Sequence, residues 1–459
     1  MQETVFASEN ASNFIHKLSE DYSSVYALIQ DPRENDRVKR GLRNSDGSGV
    51  MAGYTQIGNV TGYAIIDGEK AAMDGRLTYR GYDVTQLISG FTRDNRFGFE
   101  EIAYLLLLGK LPNASELEEF RETLYEFMEL PRNFTEDMII KHPSHDVMNK
   151  LCRSVLALYS SDPDPDSIAL ENMLRQSFEL IARFPIIVAN AYAVKRHYFD
   201  HESLYLHRPV RGYSLAENFL HLLREDSKFT QEEAKLLDMC LVLHAEHGGG
   251  NNSTFSCRVL SSSGTDTYSA IGAAIGSLKG PKHGGANAAV MRQFEEIKAN
   301  VKDWSDEDEV ANYLRKILRR EAGDGTGLIY GMGHAIYTKS DPRAVVLKNS
   351  ARSLAKTTGF LDELHLMESI ERLSPNLFTE VTGKYKPLCA NVDMYSGLVY
   401  QMLGIPQELY TPIFAIARIT GWCAHRIEEV MTGGRIIRPA YRALPTDQVY
   451  VPLEDRHYN

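Results

Sequence analysis

Apolar residues recur at helical spacing through most of the chain, and helix start signals stand ahead of them. In a capping box, a Ser or Thr and a Glu three residues later bond each other's backbone N–H. This pattern occurs at Ser115–Glu118, Ser214–Glu217 and Thr230–Glu233, each ahead of an apolar periodic stretch. Asp341 and Pro342 form a further start signal, a cap followed by a first-turn proline. The pattern therefore predicts a mainly α-helical protein.

Strand patterns are confined to one region near the N-terminus. Thr55–Tyr82 is rich in Gly, Thr, Ile and Tyr and predicts one or two short β-hairpins ahead of the helical body. A long helical pattern at Asp166–Tyr198 is interrupted by Pro185, which predicts a kink or a break. Roughly the first 30 residues predict an amphipathic helix. Its apolar positions are Phe14, Ile15, Leu18, Tyr22, Val25 and Leu28.

Length and charge narrow the class of protein. At 459 residues the chain exceeds a typical domain, so we expect two domains around one cleft. The net charge of −11 argues against a nucleic-acid binder, because binding phosphate backbones requires a basic face. One short basic run is interpreted as a solvated face rather than a ligand site. It comprises Arg37, Lys39, Arg40 and Arg43.

The cysteines and the apolar runs favour a cytoplasmic protein without a membrane partner. No apolar run approaches the roughly 18 residues that a membrane span needs. The acidic N-terminus lacks the apolar block of a secretory signal. The cysteines are scattered and form no CxxC pair, which argues against a disulfide framework and a cysteine zinc site. They are Cys152, Cys240, Cys257, Cys389 and Cys423.

Two histidines stand where a predicted helix ends. His244 and His247 close the helix that starts at Thr230, and three glycines follow them directly. The glycines would serve as the C-cap, with the histidines satisfied at the capped end. Alternatively, two histidines three residues apart share a helix face and could bind a metal. The HExxH order and an obvious third ligand are missing, so we expect no metal there.

His283 lies between two predicted helices, within Gly280–Asn287. One helix stops at Gly280 and the next starts near Gly285, so the imidazole lies at a helix N-terminus, where the dipole disfavours a second proton. A neutral imidazole there can donate a hydrogen bond to a developing enolate. A loop histidine with a structural role is the alternative. The paired glycines favour a site, because they let a ligand approach the backbone closely.

Two further segments carry candidate chemistry. Gly323–His334 is dense in glycine but matches neither the Rossmann nor the P-loop nucleotide pattern. It is compatible with a loop that wraps a CoA-type tail. Asp393 is a lone aspartate in an apolar neighbourhood. It could cap the following helix, or act as a general base whose proton affinity is raised by burial.

Five motifs, in order and in spacing, resemble those of citrate synthases, and the resemblance covers most of the chain, from Gly58 to Pro439. The motifs are HAEHGGGNNST (244–254), GPKHGGAN (280–287), GMGHAIYTKSDPR (331–343), NVDMYSG (391–397) and AIARITGW (415–422). The resemblance implies a mostly α-helical homodimer with a large and a small domain in each subunit. It implies acetyl-CoA and oxaloacetate as substrates, with no cofactor besides them.

The resemblance also implies roles for individual residues. His283 would stabilise the enolate of acetyl-CoA, Asp393 would take its methyl proton, and His334 would polarise and protonate the carbonyl of oxaloacetate. The residues that would bind oxaloacetate are His247, Arg343, Arg418 and Arg438, the last reaching across a dimer into the partner's site. Those that would contact CoA are Lys339, Gly331 and Gly333.

The chain departs from the family's pattern at two places. Relatives often have Asp-His-Glu where this chain has Glu246, His247 and Gly248. Some relatives place a basic residue for CoA phosphate four positions after the histidine of the GMGH motif, where this chain has Thr338. Lys339 follows directly and is expected to replace it.

The domain order implied by the resemblance has four parts. They are an N-terminal arm and linker at 1–53, the first part of the large domain at 54–284, the small domain at 285–403, and a C-terminal part at 404–459 that reaches the partner subunit. Two alternative functions stay open. One is 2-methylcitrate synthase, which uses propionyl-CoA. The other is a non-catalytic regulator that binds CoA or a tricarboxylate on the same fold.

Overall fold

The structure is a computed structural model that describes residues 9–21, 38–45, 47–66, 69–385, 387–444 and 448–456. The chain divides into two units. One contains residues 1–51 and 438–459, and the other contains residues 52–437. The fold is mainly helical with a small sheet near the N-terminus, which confirms the predicted fold class. The boundaries of a large and a small domain stay a prediction.

A small antiparallel sheet opens the larger unit. Strand β1 (Gly58–Ile66) pairs with β2 (Glu69–Tyr79), and β2 pairs with β3 (Tyr82–Asp83). These strands confirm the hairpin predicted for this region. Asp74 of β2 also forms a parallel bridge with Ser340, so the hairpin packs on the loop that follows His334.

The rest of the larger unit is helical. Its first helices are α2 (Val84–Arg93), α3 (Phe99–Leu108), α4 (Ala114–Phe127), α5 (Val147–Leu158), α6 (Leu170–Phe199), α7 (Leu215–Leu223) and α8 (Gln231–His244). Those that follow are α9 (Asn252–Ser261), α10 (Thr267–Lys279), α11 (Ala286–Asn300), α12 (Glu307–Leu318), α13 (Pro342–Thr358), α14 (Leu361–Thr382), α15 (Asp393–Met402) and α16 (Tyr410–Met431). Short helical turns lie at Thr135–Ile140, Tyr159–Ser161 and Gln407–Leu409.

The helix starts follow the sequence signals with one exception. Capping boxes at Ser214 and Thr230 begin α7 and α8, and Asp341 caps α13 through the N–H of Arg343, as predicted. The Ser115 prediction is wrong. Helix α4 is capped two residues earlier by Asn113, whose side chain accepts a hydrogen bond from the N–H of Glu116. Because Asn caps as well as Ser, the overlapping Asn113 pattern satisfies the free N–H groups first.

Helix α6 continues through Pro185, so the predicted break does not occur. This helix is long and apolar enough to cross a membrane. However, 83% of its most apolar stretch is buried inside the protein, as in the core helix of a globular fold.

Helix α16 runs through the middle of the core. It packs against α3, α6, α8, α9 and α10. Its Trp422 and Arg418 are fully buried, although arginine is seldom buried without a partner. A charged group is therefore held inside the core by the helix that carries the AIARITGW motif.

The smaller unit contains helix α1 (Glu9–Asp21) and the short turns Arg40–Leu42 and Leu453–Asp455. Helix α1 confirms the predicted N-terminal helix over these residues. Its Phe14, Ile15 and Leu18 are exposed. The other predicted apolar positions, Tyr22, Val25 and Leu28, lie outside the described residues. Arg37 also lies outside them, whereas Lys39, Arg40 and Arg43 of the basic run are exposed, as interpreted.

Candidate active site

His247 lies in a tight turn that follows helix α8. The helix ends at His244, and Ala245 occupies the C-cap position in a helical conformation, so the predicted glycine cap is wrong. The first glycine, Gly248, instead has a φ of +85°, which lets the chain reverse after His247. Glu246 and His247 are both buried as a result. The other histidine of the motif, His244, bonds the carbonyl of Cys240 in its own helix with Nδ1.

The backbone around His334 determines which ring nitrogen carries the proton. The N–H groups of Ile336 and Tyr337 donate to Nδ1 of His334 at 3.0 and 3.1 Å. A nitrogen that accepts hydrogen bonds cannot carry a proton, so the proton of the neutral ring is on Nε2. Burial, followed by the positive charge of Arg343, lowers the pKa of His334 to about 4. His334 is thus a neutral hydrogen-bond donor through Nε2 at neutral pH.

His247 and His334 lie side by side, with Tyr337 against both. The two imidazole centroids are 5.1 Å apart in an edge-to-face arrangement. The Tyr337 ring stacks on His334 at 4.5 Å, and its hydroxyl lies 3.3 Å from Nε2 of His247. Burial, then the charges of Arg343 and His334, hold the pKa of His247 well below its usual value. The site therefore presents two neutral imidazoles together.

His283 lies in the turn just before helix α11, at the helix N-terminus that the sequence predicts. Its Nε2 is 2.9 Å from Oγ of Ser253, which accepts a hydrogen bond from the indole N–H of Trp422 at 3.2 Å. Burial, with a contribution from the charge of Arg418, lowers the pKa of His283 to about 4. Because Ser253 occupies Nε2, the ring can meet a ligand through Nδ1.

Asp393 is the first residue of helix α15. Val392 precedes it as the N-cap residue, and the side chain of Asn391 accepts a hydrogen bond from the N–H of Asp393 at 3.0 Å. The interpretation of Asp393 as the helix cap is therefore wrong. No hydrogen bond from a described residue reaches its carboxylate. Burial raises the pKa of Asp393 to about 6, although the nearby charge of Arg343 opposes the rise. A carboxylate with this pKa suits a general base at neutral pH.

The loops that carry Asp393 and His334 are tied together. The side-chain amide of Asn391 donates to the carbonyl of Gly333 at 2.9 Å, and the N–H of Gly333 donates to Cys389 at 2.7 Å. The N–H of Asn391 donates to the carbonyl of Gly331 at 2.9 Å. These bonds hold the candidate base and the candidate proton donor in a defined relation.

Arg343 is a buried arginine whose charge is paired. Its Nε and Nη2 donate to the two carboxylate oxygens of Asp341 at 3.0 and 2.7 Å. Its guanidinium carbon lies 5.8 Å from the centre of the Tyr337 ring. Arg343 therefore borders the histidine pair from the start of helix α13.

Arg418 is a buried arginine whose charge is not paired. Its Nε donates to the carbonyl of His244 at 2.6 Å, but Nη1 and Nη2 are buried and receive no partner from the described residues. Its guanidinium carbon lies 4.7 Å over the ring of Phe414, which also borders His283 and His244. Burial lowers the pKa of Arg418 to about 10. Two unoccupied N–H groups on one face form a fork for a carboxylate.

Comparison with known proteins assigns this arrangement to a family. Residues 46–440 match the family model described as citrate synthase, C-terminal domain. The chain belongs to the citrate synthase family. It is accordingly an enzyme, an acyltransferase of the citrate synthase type.

Similar proteins carry two related names. Citrate synthase 2 of Bacillus subtilis is 35% identical over 390 residues, covering 84% of this chain and 94% of its own. The 2-methylcitrate synthase of Shewanella oneidensis is 34% identical over 368 residues, covering 79% and 87%. Among solved structures, the citrate synthase of Thermoplasma acidophilum, in a ternary complex with carboxymethyl coenzyme A and oxaloacetate, aligns with a TM-score of 0.73 and 28% identity, covering 92% and 100%.

The residues expected to contact CoA lie in two different settings. Gly331 is buried against helix α15, where an added Cβ would lie 2.8 Å from Sδ of Met394, and its φ of +82° favours glycine as well. Gly333 has a φ of +95°, a backbone conformation that favours glycine whatever the packing around it. Lys339 is exposed and lines a surface hollow of about 430 Å³. The other residues around this hollow are Thr338, Pro375, Asn376, Thr379, Tyr385, Pro387 and Leu388.

Thr338, the departure from the family's basic residue, has a structural partner. Its hydroxyl donates to the carbonyl of Gly62 in β1 and accepts the N–H of Met73 in β2 at 3.3 Å. Gly75 of β2 donates its N–H to the carbonyl of Ser340 at 3.1 Å. Thr338 thus binds the loop that carries His334 to the hairpin through hydrogen bonds, and the neighbouring Lys339 faces solvent.

The last of the predicted site residues, Arg438, is exposed and belongs to the unit that contains residues 1–51 and 438–459. Its role across a dimer stays a prediction. Two residues of the site were not predicted, Ser253 and Tyr337. Both lie within the quoted motifs NNST and HAIYTK, so the motif could have drawn attention to them, but their side-chain contacts require the fold.

Proposed function

We propose that this enzyme condenses acetyl-CoA with oxaloacetate and hydrolyses the resulting citryl thioester to citrate and CoA, the first step of the tricarboxylic acid cycle. One observation carries the assignment of the site. The buried guanidinium of Arg418 offers two unoccupied donors beside neutral His247 and His334. A small dianion with a ketone between its charges supplies the carboxylate and the carbonyl that these groups need.

Oxaloacetate would bind between the arginines and the histidine pair. Arg418 would hold one carboxylate with its two free N–H groups, and Arg343 and His247 would hold the remaining polar groups. The Nε2–H of His334 would donate to the ketone oxygen and transfer its proton as the new C–C bond forms. A neutral donor suits this step, because the proton affinity of the ketone oxygen rises as it becomes an alkoxide and then matches the weakly acidic Nε2–H of His334.

The acyl half of the reaction requires a base and an enolate stabiliser. Asp393 would take a proton from the methyl group of the thioester. His283 would stabilise the enolate oxygen through Nδ1–H, which requires the hydroxyl of Ser253 to donate its hydrogen bond to Nε2 of His283. One positioned base contributes about 10²- to 10⁴-fold, and one oxyanion donor about 10²- to 10³-fold. Closure over both substrates would exclude water until the citryl thioester has formed.

The thiol released by the reaction tests this proposal and separates it from the alternative favoured by the 2-methylcitrate synthase relatives. Oxaloacetate is supplied with acetyl-CoA or propionyl-CoA, and free CoA is titrated. We expect a higher kcat/KM for acetyl-CoA. A higher value for propionyl-CoA would make the protein a 2-methylcitrate synthase, and no thiol release with either thioester would contradict both functions.

The pH dependence of the reaction should report Asp393. Its pKa is raised to about 6, and the base must be ionised, so kcat/KM should fall about tenfold per pH unit below that value. His283 and His334 have pKa values lowered to about 4 and stay neutral above it. The rate is measured between about pH 5 and pH 8. A profile that stays level across this range would count against Asp393 as the base.

We also propose a cytoplasmic homodimer whose active sites are shared through Arg438, with Lys339, Gly331 and Gly333 contacting CoA. The five unpaired cysteines support a reducing compartment. The exposed position of Arg438 supports contact with another subunit.

Mixing two inactive variants tests the shared site. Arg438→Ala and His283→Ala subunits would each be impaired alone, because each lacks one part of every site. If Arg438 serves the partner's site, one site in a mixed dimer contains both lesions and the other contains neither. Activity should recover to about half that of the wild type per mixed dimer. No recovery after subunit exchange is shown by mass spectrometry would place Arg438 outside the partner's site.

A further inference from the structure

Glu246, beside the substrate-binding His247, is a fully buried carboxylate. Its Oε1 accepts hydrogen bonds from the N–H of Gly248 at 2.5 Å and from Nε2 of His425 at 2.9 Å. Its Oε2 is buried and has no hydrogen-bond partner among the described residues. Burying a carboxylate oxygen without a hydrogen-bond partner lowers the stability of the folded protein. We therefore expect Glu246 to have a functional role that explains why this cost is retained.

The surrounding structure is shaped to admit this side chain. A Cβ added to Gly58 of β1 would lie 2.7 Å from Cγ of Glu246, and one added to Gly421 of α16 would lie 2.6 Å from Oε2. No real Cβ approaches so closely, so both positions must lack a side chain. The carboxylate is therefore held between the hairpin and helix α16, against Gly421.

A chain of hydrogen bonds behind Glu246 fixes its state. Nδ1 of His425 accepts from Nε and Nη2 of Arg258 at 3.0 and 2.6 Å, so the proton of the His425 ring is on Nε2 and points at Glu246. Arg258 also donates to Glu429 at 2.7 Å and to Glu428. Burial would raise the pKa of Glu246, but His425, Arg418 and the Gly248 N–H lower it below its usual value.

Arg418 lies one helical turn before Gly421, on the same face of α16. Among the described residues, no carboxylate lies within ion-pair distance of it, in contrast to Arg343, whose Nε and Nη2 are occupied by Asp341. Glu246 is nevertheless the strongest opposing charge that acts on Arg418. The negative charge is thus close enough to stabilise the guanidinium and too far to occupy its donors.

We propose that Glu246 is a positioning residue for Arg418, a remote counter-charge that keeps the guanidinium in the core while leaving both Nη groups for one carboxylate of oxaloacetate. This inference rests on the proposed function. A direct ion pair would stabilise the empty site better but would have to break when the substrate binds. A counter-charge held against Gly421, one helical turn from Arg418, avoids that competition at the expense of some repulsion of the dianion.

Titration of the protein with oxaloacetate in a calorimeter tests the proposal. Glu246→Gln keeps the shape and the acceptor for Gly248 and His425 but removes the charge. The Kd for oxaloacetate should fall about three- to tenfold, because the repulsion of the dianion is lost. The melting temperature should fall as well, because the Arg418 charge loses its compensation. A structural role without charge compensation predicts weaker or unchanged binding.

Two matched variants separate charge from shape. Glu246→Asp keeps the charge, and its Kd should stay within about twofold of the wild type. Glu429→Gln removes a carboxylate from the far end of the same network, and its Kd should also stay unchanged. A Kd that shifts in Glu246→Asp as much as in Glu246→Gln would show that side-chain length, not charge, is responsible, and would overturn the proposal.

The proposal remains testable if Glu246→Gln does not fold. The double variant Glu246→Gln/Arg418→Leu removes both charges and should recover the fold, because the two residues are coupled. A double variant as unstable as the single one would overturn the inference. Wild-type protein that fails to bind oxaloacetate would contradict the proposed function itself. Wild-type binding together with weaker or unchanged binding by Glu246→Gln would contradict only the role of Glu246.

Discussion

Replacing Asp393 by asparagine should lower kcat by about 10²- to 10⁴-fold, because the amide cannot take the methyl proton of the thioester. Asparagine has nearly the same shape, and no described residue donates a hydrogen bond to the Asp393 carboxylate, so the surrounding contacts are kept. The Kd for oxaloacetate should therefore change little. Thiol release at saturating substrate measures kcat, and calorimetry measures the Kd.

Stability gives this prediction a second readout. The pKa of Asp393 is raised to about 6, which means that the folded state binds this proton more tightly than the unfolded chain. The cost of ionising Asp393 in the folded protein therefore builds up as the pH rises above the ordinary pKa of an aspartate, and it is fully present above the raised pKa. At pH 8 the asparagine variant should melt no lower than the wild type.

The same substitution at another helix start is the matched control. Asp266 caps helix α10 by accepting the N–H of Ser269 at 2.8 Å. Asparagine caps as well as aspartate, so Asp266→Asn should keep full activity and nearly full stability. Wild-type turnover by Asp393→Asn would exclude Asp393 as the base.

The helical fold could be predicted because its signals are local. The capping boxes at Ser214 and Thr230 and the Asp341–Pro342 start depend on residues three positions apart or fewer, and each is formed as the pattern indicates. The error at Ser115 arose where two such patterns overlap, since nothing within that stretch ranks Asn113 above it. The missed cap after His244 arose because Ala245 stays helical and the turn comes three residues later.

The catalytic candidates could be located by motif, but their chemical states required the fold. That the proton of His334 is on Nε2 follows from two backbone N–H groups aimed at Nδ1. The setting of Glu246 depends on Gly58 and on His425, which lie about 190 and 180 residues away along the chain, and no short pattern encodes that meeting. Likewise, that Nη1 and Nη2 of Arg418 have no hydrogen-bond partner among the described residues depends on the fold around them and could not be predicted from the AIARITGW motif.

Replacing Arg418 by leucine should raise the KM for oxaloacetate by about 30- to 5,000-fold, because truncating one member of a buried hydrogen-bonded charge pair costs about 2–5 kcal/mol. The KM for acetyl-CoA, measured at saturating oxaloacetate, should change far less. Arg418→Lys should be almost as impaired, since an ammonium cannot form the two parallel hydrogen bonds of a guanidinium. Steady-state kinetics with each substrate varied in turn measures both constants.

Arg426, two turns further along α16, provides the control variant for Arg418→Leu. It is also buried, but its Nε, Nη1 and Nη2 donate to Thr267, Ser261 and the carbonyl of Thr265 at 3.0, 3.3 and 2.7 Å. Arg426→Leu would leave those partners unsatisfied and should lower the melting temperature without changing the KM for oxaloacetate. Arg418→Leu removes a buried charge whose Nη groups had no partner, so its melting temperature should fall less. If the two variants lose equal stability and the KM for oxaloacetate is unchanged in Arg418→Leu, then Arg418, like Arg426, stabilises the fold and does not bind the substrate.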